Sequence, residues 1–232
     1  VFTEHGSLFL NGSFGVHSII ADNVPSAIFP LTALGAQVHW VPLNGLLLKA
    51  GVFDGMPDDF SENKYNISWE LSSGNGIFSI YEVNLNTEIF DALPGVLKAG
   101  AYFHNSELTE YSNNGFYLTA DQFVKEEKAS VFLQAAVSPK NKNNNYIYLG
   151  GGMTYYGLFD SRSEDVFGFG AAYAGFASGY SRGETALEIT YKVQLDENIF
   201  IQPDLQYIIN PSGTEEKLPD AFSGILRFGF NF

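Results

Sequence analysis

The sequence predicts an all-β fold, a transmembrane antiparallel β-barrel, from three observations. The last eleven residues, 222–232, alternate between Phe, Gly or Leu and mostly polar or small residues. A period of two over about ten residues is typical of a strand with one face in lipid and one in water. No run approaches the roughly 18 apolar residues that a spanning helix needs. Aromatic residues make up 16% of the chain, which fits strands that carry an aromatic-rich lipid face.

Reading backward from the C-terminus, the same alternation recurs along the chain. Ile199, Leu205 and Tyr207 are predicted to face lipid, whereas Gln202 and Asp204 are predicted to face the lumen. Pro203 is tolerable only near a bulge or a strand end. Thirteen strands are predicted in total. Residues 1–232 are therefore expected to form one barrel domain of about 12–13 strands. Besides the three C-terminal ones, around 187–195, 199–209 and 222–232, they are Leu8–Val16, Ala36–Val41, Leu46–Phe53, Asn66–Ser72, Ile77–Leu85, Val96–His104, Phe116–Val124, Ala129–Val137, Tyr146–Gly157 and Val166–Phe176.

The connections test this count, because such barrels have short turns at the periplasmic end and long loops at the outer end. The turn at 196–198 and the loop at 210–219 fit that rule. Counting further toward the N-terminus places the tight turns 42–45 and 73–76 outside and the long segment 54–65 inside. We therefore expect a strand gained or lost between Asn86 and Lys128, since an odd number cannot close an antiparallel barrel.

Charge and cysteine content exclude several classes of protein. The net charge is -14, with 12 Lys plus Arg, which argues against nucleic-acid binding. The acidic clusters at 58–62 and 215–216 fall in predicted loops, either as solvated surface or as contacts for divalent cations and lipopolysaccharide. The absence of cysteine excludes disulfides and thiol chemistry. Residues 1–15 lack a leader-peptide pattern, so we expect either a mature protein or an internal fragment.

No catalytic, cofactor or metal site is predicted. Residues 179–183 match G-x-S-x-G, but the motif joins two predicted strands and no His follows His104, so a nucleophile elbow is not expected. The glycines at 150–152, 168 and 170 lack the context of a phosphate loop and are interpreted as small residues in strands. The four histidines, His5, His17, His39 and His104, have no metal-ligand spacing.

Five blocks of sequence, together with the alternating strand that ends in Phe232, resemble the carbohydrate-selective porin (OprB) family. The resemblance spans almost the whole chain and corresponds to the middle and C-terminal part of the family, starting at the Phe-Leu-Asn-Gly-Ser-Phe segment, 9–14. The blocks are Lys49–Gly55, the strand around Glu82 after Gly76, Leu93–Gly100 running to Tyr102 and His104, Gly183–Glu184 with Glu188, Thr190 and Tyr191, and Gln202–Tyr207 with Asn210–Pro211.

The resemblance implies a barrel of up to 16 strands, of which this chain would supply part. At about 4.8 Å between strands and a tilt near 40°, 12 strands give roughly 24 Å across and 16 strands about 32 Å. Either leaves a water-filled lumen. The implied function is passive diffusion of sugars; the alternative is a nonselective, structural or host-interaction barrel protein of the outer membrane. The implied partners are small sugars, outer-membrane lipid and lipopolysaccharide, in a Gram-negative outer membrane, as a trimer or a monomer.

A sugar-selective constriction needs groups that hydrogen-bond hydroxyls and an aromatic surface for the ring. The predicted lumen parity supplies ten candidates for sugar contact, whose mixed charges suit neutral sugars. Those on the last three strands could instead form a wall of salt bridges, and Glu82 could pair with Lys98. Trp40 and Trp69 are expected in the membrane-interface girdle or stacked on a sugar. The candidates are Lys49, Glu70, Glu82, Lys98, Glu184, Glu188, Lys192, Asp204, Gln206 and Arg227.

Overall fold

The described part of this computed structural model forms one sheet of eleven antiparallel strands in which each strand pairs with its neighbours in sequence. The description covers residues 1–25, 27, 31–59, 61, 63–65, 67, 71, 74–90, 92–106, 112–177, 183–214 and 218–230. The strands are β1 (Gly35–Leu43), β2 (Leu46–Asp54), β3 (Ile77–Ile89), β4 (Leu93–Asn105), β5 (Asn113–Lys125), β6 (Ala129–Val137), β7 (Asn145–Tyr156), β8 (Val166–Phe176), β9 (Glu184–Asp196), β10 (Ile199–Ile209) and β11 (Ala221–Phe230).

The two faces of the sheet differ sharply in burial and polarity. On β10, Leu205 and Tyr207 are 52% and 40% exposed, whereas Gln202 and Asp204 are buried. Side chains alternate between faces along a strand, so this pattern separates an apolar outer face from a polar inner face. The predicted parity of β10 is confirmed. On β11 the register also supports it, because Arg227 lies opposite Gln202.

Successive connections lie at alternate ends of the sheet, and apart from 157–165 those at one end are the shorter. One end of the sheet carries the connections 44–45, 90–92, 126–128, 157–165 and 197–198, and the opposite end carries 55–76, 106–112, 138–144, 177–183 and 210–220. We call these the short-turn end and the long-loop end. The turn at 44–45 therefore lies at the short-turn end, which corrects the predicted placement of 42–45 outside.

Two of the thirteen predicted strands account for the wrong count. Leu8–Val16 is not a strand; one 3-10 turn, His5–Leu8, ends at its first residue, and a second, Gly12–Phe14, lies within it. Asn66–Ser72 lies mostly outside the described residues, and its described positions are not in a strand. Treating 55–76 as one loop restores the alternation of ends. The expected error between Asn86 and Lys128 was wrong, because β3, β4 and β5 pair continuously there. The other predicted strands are confirmed.

Residues 1–24, the inner segment, lie on the inner face of the sheet. The segment contains the two 3-10 turns and a short helix, α1 (Ser18–Ala21). Phe9 and Phe14 are buried against Phe132 of β6, with ring centroids 5.4 and 5.9 Å from it. The glycines of β8 permit this approach, since a Cβ at Gly170 would lie 2.8 Å from the Phe14 ring. This packing agrees with the interpretation of Gly168 and Gly170 as small residues in a strand.

The two edge strands differ from the rest. β1 and β11 each have one strand partner among the described residues, and nearly all of their side chains are exposed on both faces. The inner segment contacts strands between them, including β4, β5, β9 and β10. Among the described residues, no helix is both long and apolar enough to cross a bilayer.

Candidate functional site

Carboxylates on the inner face hold the backbone of the inner segment. Asp121 of β5 accepts hydrogen bonds from the backbone N–H groups of Glu4 and His5, at 2.9 and 3.1 Å. Glu188 of β9 accepts from those of Leu10 and Asn11, at 2.6 and 2.9 Å. The two carboxylates therefore anchor the segment at two points, from strands that are four apart in the sheet.

Neutral side chains complete the attachment of the inner segment. The amide of Gln202 donates to the carbonyl oxygen of Leu8 at 2.8 Å, and the hydroxyl of Tyr102 donates to that of Ile19 at 2.9 Å. Each contact satisfies a backbone group that would otherwise be buried without a partner, which costs about 1–3 kcal/mol. Asp121, Gln202 and Tyr102 were not among the predicted site residues. Their inner-face parity was readable from the sequence, but the segment they bind was assigned to a strand.

Lys49 and Lys98 pair with different carboxylates. Lys49 Nζ lies 3.3 Å from Glu82, which also accepts a hydrogen bond of 2.9 Å from Tyr117. Lys98 Nζ lies 3.9 Å from Asp121 and donates to the Phe2 carbonyl at 2.9 Å. The alternative Glu82–Lys98 pair does not occur among the described residues, because Glu82 pairs with Lys49 and Lys98 pairs with Asp121.

The five charged candidates on β9, β10 and β11 do not form the alternative wall of salt bridges. No ion pair in the described part of the chain joins any two of them. Asp204 is buried and accepts from Gln206 at 2.9 Å. Gln206 in turn accepts from the side chain of Asn11 at 3.0 Å. Glu184 lies toward the long-loop end and accepts from the backbone of Ser212 at 2.6 Å.

Lys192 and Arg227 lie together near the short-turn end. Lys192 Nζ is 4.4 Å from the centroid of the Phe200 ring, and the guanidinium carbon of Arg227 is 5.6 Å from it. These are cation–π distances. Two of the candidates for sugar contact, Lys192 and Arg227, thus lie against one aromatic side chain, Phe200. From the sequence, Phe200 was assigned to neither face of the sheet.

Two cavities flank the inner segment at the short-turn end, and both are lined by Glu4 and His5. The acidic cavity, about 610 Å³, is also lined by Asn86, Glu88 and Asp121. The cationic cavity, about 380 Å³, is also lined by Ser7, Gln202, Lys192, Phe200 and Arg227. Both volumes fall within the range of about 300–1,000 Å³ typical of small-molecule sites. The inner segment therefore divides this end of the inner face into two compartments of different charge.

Several predicted features are not placed by the structure. Glu70, Trp69 and residues 179–182 of the G-x-S-x-G motif lie outside the described residues. Trp40 is 61% exposed on β1, but this strand is exposed on both faces, so its interface role stays a prediction.

The histidines take structural positions. His104 contacts the carbonyl oxygen of Gly55 through Nε2 at 2.8 Å. His17 is fully buried between the rings of Tyr117 and Tyr148, with centroid distances of 5.7 and 5.2 Å. Burial lowers the pKa of His17 to about 4, so the ring is neutral at pH 7. Within the described ranges, no group of three or more potential metal ligands occurs.

An ion pair in the turn between β7 and β8 orders the short-turn end. Arg162 donates to both carboxylate oxygens of Asp165, at 2.5 and 3.0 Å. Tyr191 and the backbone of Gln194 also donate to this carboxylate, at 2.8 and 3.0 Å. Burial alone would raise the pKa of Asp165, but the hydrogen bonds from Arg162, Tyr191 and Gln194 outweigh it and lower the pKa. The cluster joins this turn to β9, the strand that carries Lys192.

Comparison with known proteins gives a consistent set of relatives. The profile of the family described as "Carbohydrate-selective porin, OprB family" matches residues 2–232. A protein of Acinetobacter baylyi named "Putative porin QuiX" is 23% identical over 248 residues, which cover 88% of this chain and 56% of that protein. The chain therefore spans little more than half the length of this curated relative.

Two solved structures share the fold. The high-pH structure of Pseudomonas putida OprB superposes with a TM-score of 0.78 at 20% identity, covering 90% of this chain and 61% of the other. The low-pH structure of the same protein gives a TM-score of 0.59 at 20% identity, covering 84% and 54%. At this identity the likeness shows a shared fold.

Proposed function

Since the chain belongs to the carbohydrate-selective porin (OprB) family, we propose that it forms a water-filled channel through which sugars diffuse passively across the outer membrane of a Gram-negative bacterium. The family is one of channels and not of enzymes, and the all-β fold is that of the OprB barrel. We place residues 1–232 in one barrel domain, with the inner face of the sheet as the channel wall.

The observation that carries this proposal is the division of the sheet into an apolar outer and a hydrogen-bonding inner face. Leu97, Leu118, Leu133 and Leu149 of four successive strands line a shallow groove on the outer face. Such a surface suits lipid acyl chains. The inner face instead presents carboxylates, amides and hydroxyls, which match the donors and acceptors that a sugar carries all round.

The inner segment supplies the narrowing that selectivity requires. Its backbone N–H groups donate hydrogen bonds to the side chains of Glu188 and Asp121. We therefore propose that these carboxyl groups position the segment rather than contact sugar directly. Lys98 donates to the backbone carbonyl of Phe2, and Gln206 accepts from the side chain of Asn11, so the segment also binds these two residues. The surfaces that remain for a sugar are the two cavities beside Glu4 and His5. We propose that, in these two cavities, the hydroxyl groups of a passing sugar form hydrogen bonds with the protein in place of water.

The alternative is a structural or host-interaction barrel protein with a closed lumen. The apolar contact of Phe9 and Phe14 with Phe132 favours it, because this contact fills part of the inner face. Liposome swelling with neutral sugars of graded size separates the two functions. The channel proposal predicts swelling that is fast with a monosaccharide and slower with each added sugar unit. Swelling no faster than in protein-free liposomes would support the alternative.

A further inference from the structure

Lys192 and Arg227 are cations of the inner face that form no ion pair with a carboxylate in the described part of the chain. Of the four predicted inner-face cations, Lys49 and Lys98 each lie within 4.0 Å of a carboxylate. Among the described residues, no such ion pair is formed by Lys192 or Arg227. Both cations instead contact the ring of Phe200, at 4.4 and 5.6 Å from its centroid. In a chain with a net charge of -14, two adjacent cations without a carboxylate partner require an explanation.

The fold places these cations by a specific packing arrangement. Phe200 is 7% exposed, and Gly229 lies directly opposite it on β11. The absence of a side chain at Gly229 leaves room for the ring, since a Cβ there would lie 2.0 Å from it. Arg227, two residues along β11, lies opposite Gln202. The ring is thus fixed against the sheet, and its position holds both cationic heads at one wall of the cationic cavity.

The opposite wall of the cationic cavity is polar and comes from the inner segment. Glu4 and Ser7 line it, and both residues are exposed. The Glu4 carboxylate forms no ion pair within the described part of the chain, so it does not neutralise Lys192 or Arg227 by direct contact. A molecule in this cavity would therefore meet positive charge on one side and hydroxyl or carboxylate acceptors on the other.

We propose that the cationic cavity is a binding subsite for a hydroxylated carboxylate of the sugar-acid class. The carboxylate of such a ligand would lie between Lys192 and Arg227, and its hydroxyls would reach Glu4 and Ser7. A guanidinium presents parallel donors that match a carboxylate, and hydrogen bonds between charged groups are roughly twice as strong as neutral ones. This subsite rests on the proposed channel function and narrows its range of substrates from neutral sugars to include their acids.

The test compares gluconate with glucose, two ligands of similar size that differ in charge. The protein, reconstituted in a planar bilayer, is titrated with each compound, and the block of ion current gives an apparent affinity. The proposal predicts that gluconate binds at least about tenfold more tightly than glucose, as expected for one added charge-assisted contact. Equal affinities would overturn the subsite while leaving the passage of glucose, and thus the channel function, intact.

Substitutions locate the effect. Lys192→Met and Arg227→Met should each reduce the gluconate preference by at least about fivefold, because each removes one charge but keeps an apolar stem over Phe200. Lys140→Met is the matched control, since Lys140 lies 4.7 Å from the ring of Tyr146 in the connection between β6 and β7, away from the cavity. It should leave the preference unchanged. A preference that survives both cavity substitutions would contradict the assignment.

Two further outcomes separate the possible ligands. Inorganic phosphate that blocks the current as strongly as gluconate would overturn the sugar-acid assignment, since the site would then respond to charge alone. Passage of gluconate without passage of glucose would support the subsite and contradict the proposal for neutral sugars. The ratio of affinities in the unsubstituted protein tests the subsite even where a variant fails to assemble.

Discussion

The ring of Phe200 lies over Gly229, its direct partner on β11, so closely that a Cβ on the glycine would be 2.0 Å from the ring. Lys192 and Arg227 both contact the ring of Phe200. The packing of Phe200 against the edge strand β11 therefore fixes the position of two charged side chains on the inner face. It also explains why the last strand carries a glycine on its inner parity at this position.

Gly229→Ala should therefore destabilise the folded protein by about 1–3 kcal/mol, the usual cost of overpacking. The ring of Phe200 would have to leave its position, since the backbone on both sides is fixed by the strand pairing. Gly224→Ala on the same strand is the control, because a Cβ there would meet Leu205 at 3.6 Å, an ordinary contact. The free energy of unfolding in detergent checks both variants. Equal stability of the two would contradict the packing described here.

The outer face should tolerate apolar but not charged side chains. Leu133 is 64% exposed in the middle of β6, so Leu133→Arg should cost about 2–4 kcal/mol near the bilayer midplane. Leu133→Phe keeps the position apolar and should be close to neutral. Unfolding by urea from lipid vesicles measures the difference. If the Arg and Phe variants were equally stable, the outer face would not be in contact with lipid.

Stability should depend on pH through His17. Burial lowers the pKa of this ring to about 4 from an ordinary value of 6.5. Between pH 6.5 and 4 the unfolded chain binds a proton at this position that the folded chain does not bind. Folding stability should therefore decrease as the pH falls through this range. The decrease occurs because charging a buried ring whose nitrogens have no hydrogen-bond partner among the described residues is costly.

His17→Phe should reduce this dependence, because phenylalanine can pack between Tyr117 and Tyr148 without a proton to gain. The measurement is the unfolding midpoint in detergent at a series of pH values from 7 to 4. The variant should show a flatter profile than the unsubstituted protein. An unchanged slope would mean that His17 is accessible to protonation in the folded state.

The sequence predicted the strands where a strict period of two coincides with one apolar face. β9 and β10 show this pattern, and their faces are those of the structure. The sequence could not predict the inner segment, because Phe9, Leu10 and Phe14 combine strand-like composition with contacts that no local pattern encodes. The backbone groups of this segment are satisfied by Asp121 and Glu188, which lie more than 100 residues away. Such long-range pairing has no signature in a single sequence.

The same limit applies to the partners of the charged residues. Parity placed Lys49, Glu82, Lys98, Lys192 and Arg227 on the inner face, but parity fixes a face and not a partner. Glu82 and Lys98 lie on adjacent strands, yet the register places Gly100 opposite Glu82. The cationic character of the Phe200 site became visible only when the ring could be placed with both cations. Phe200 has the parity of a lumen residue and the chemistry of a lipid-facing one, so its contact with the two cations has no signature in the sequence.

The most direct test of the proposed sugar path uses single cysteines, because the chain contains none of its own. Ser7→Cys places a thiol in the cationic cavity beside the inner segment, and Leu133→Cys places one on the outer face. A charged, water-soluble methanethiosulfonate should react at residue 7 and reduce glucose flux into liposomes, while residue 133 in lipid should not react. Full modification of residue 7 without any change in glucose flux would contradict the claim that sugars pass along this face of the sheet.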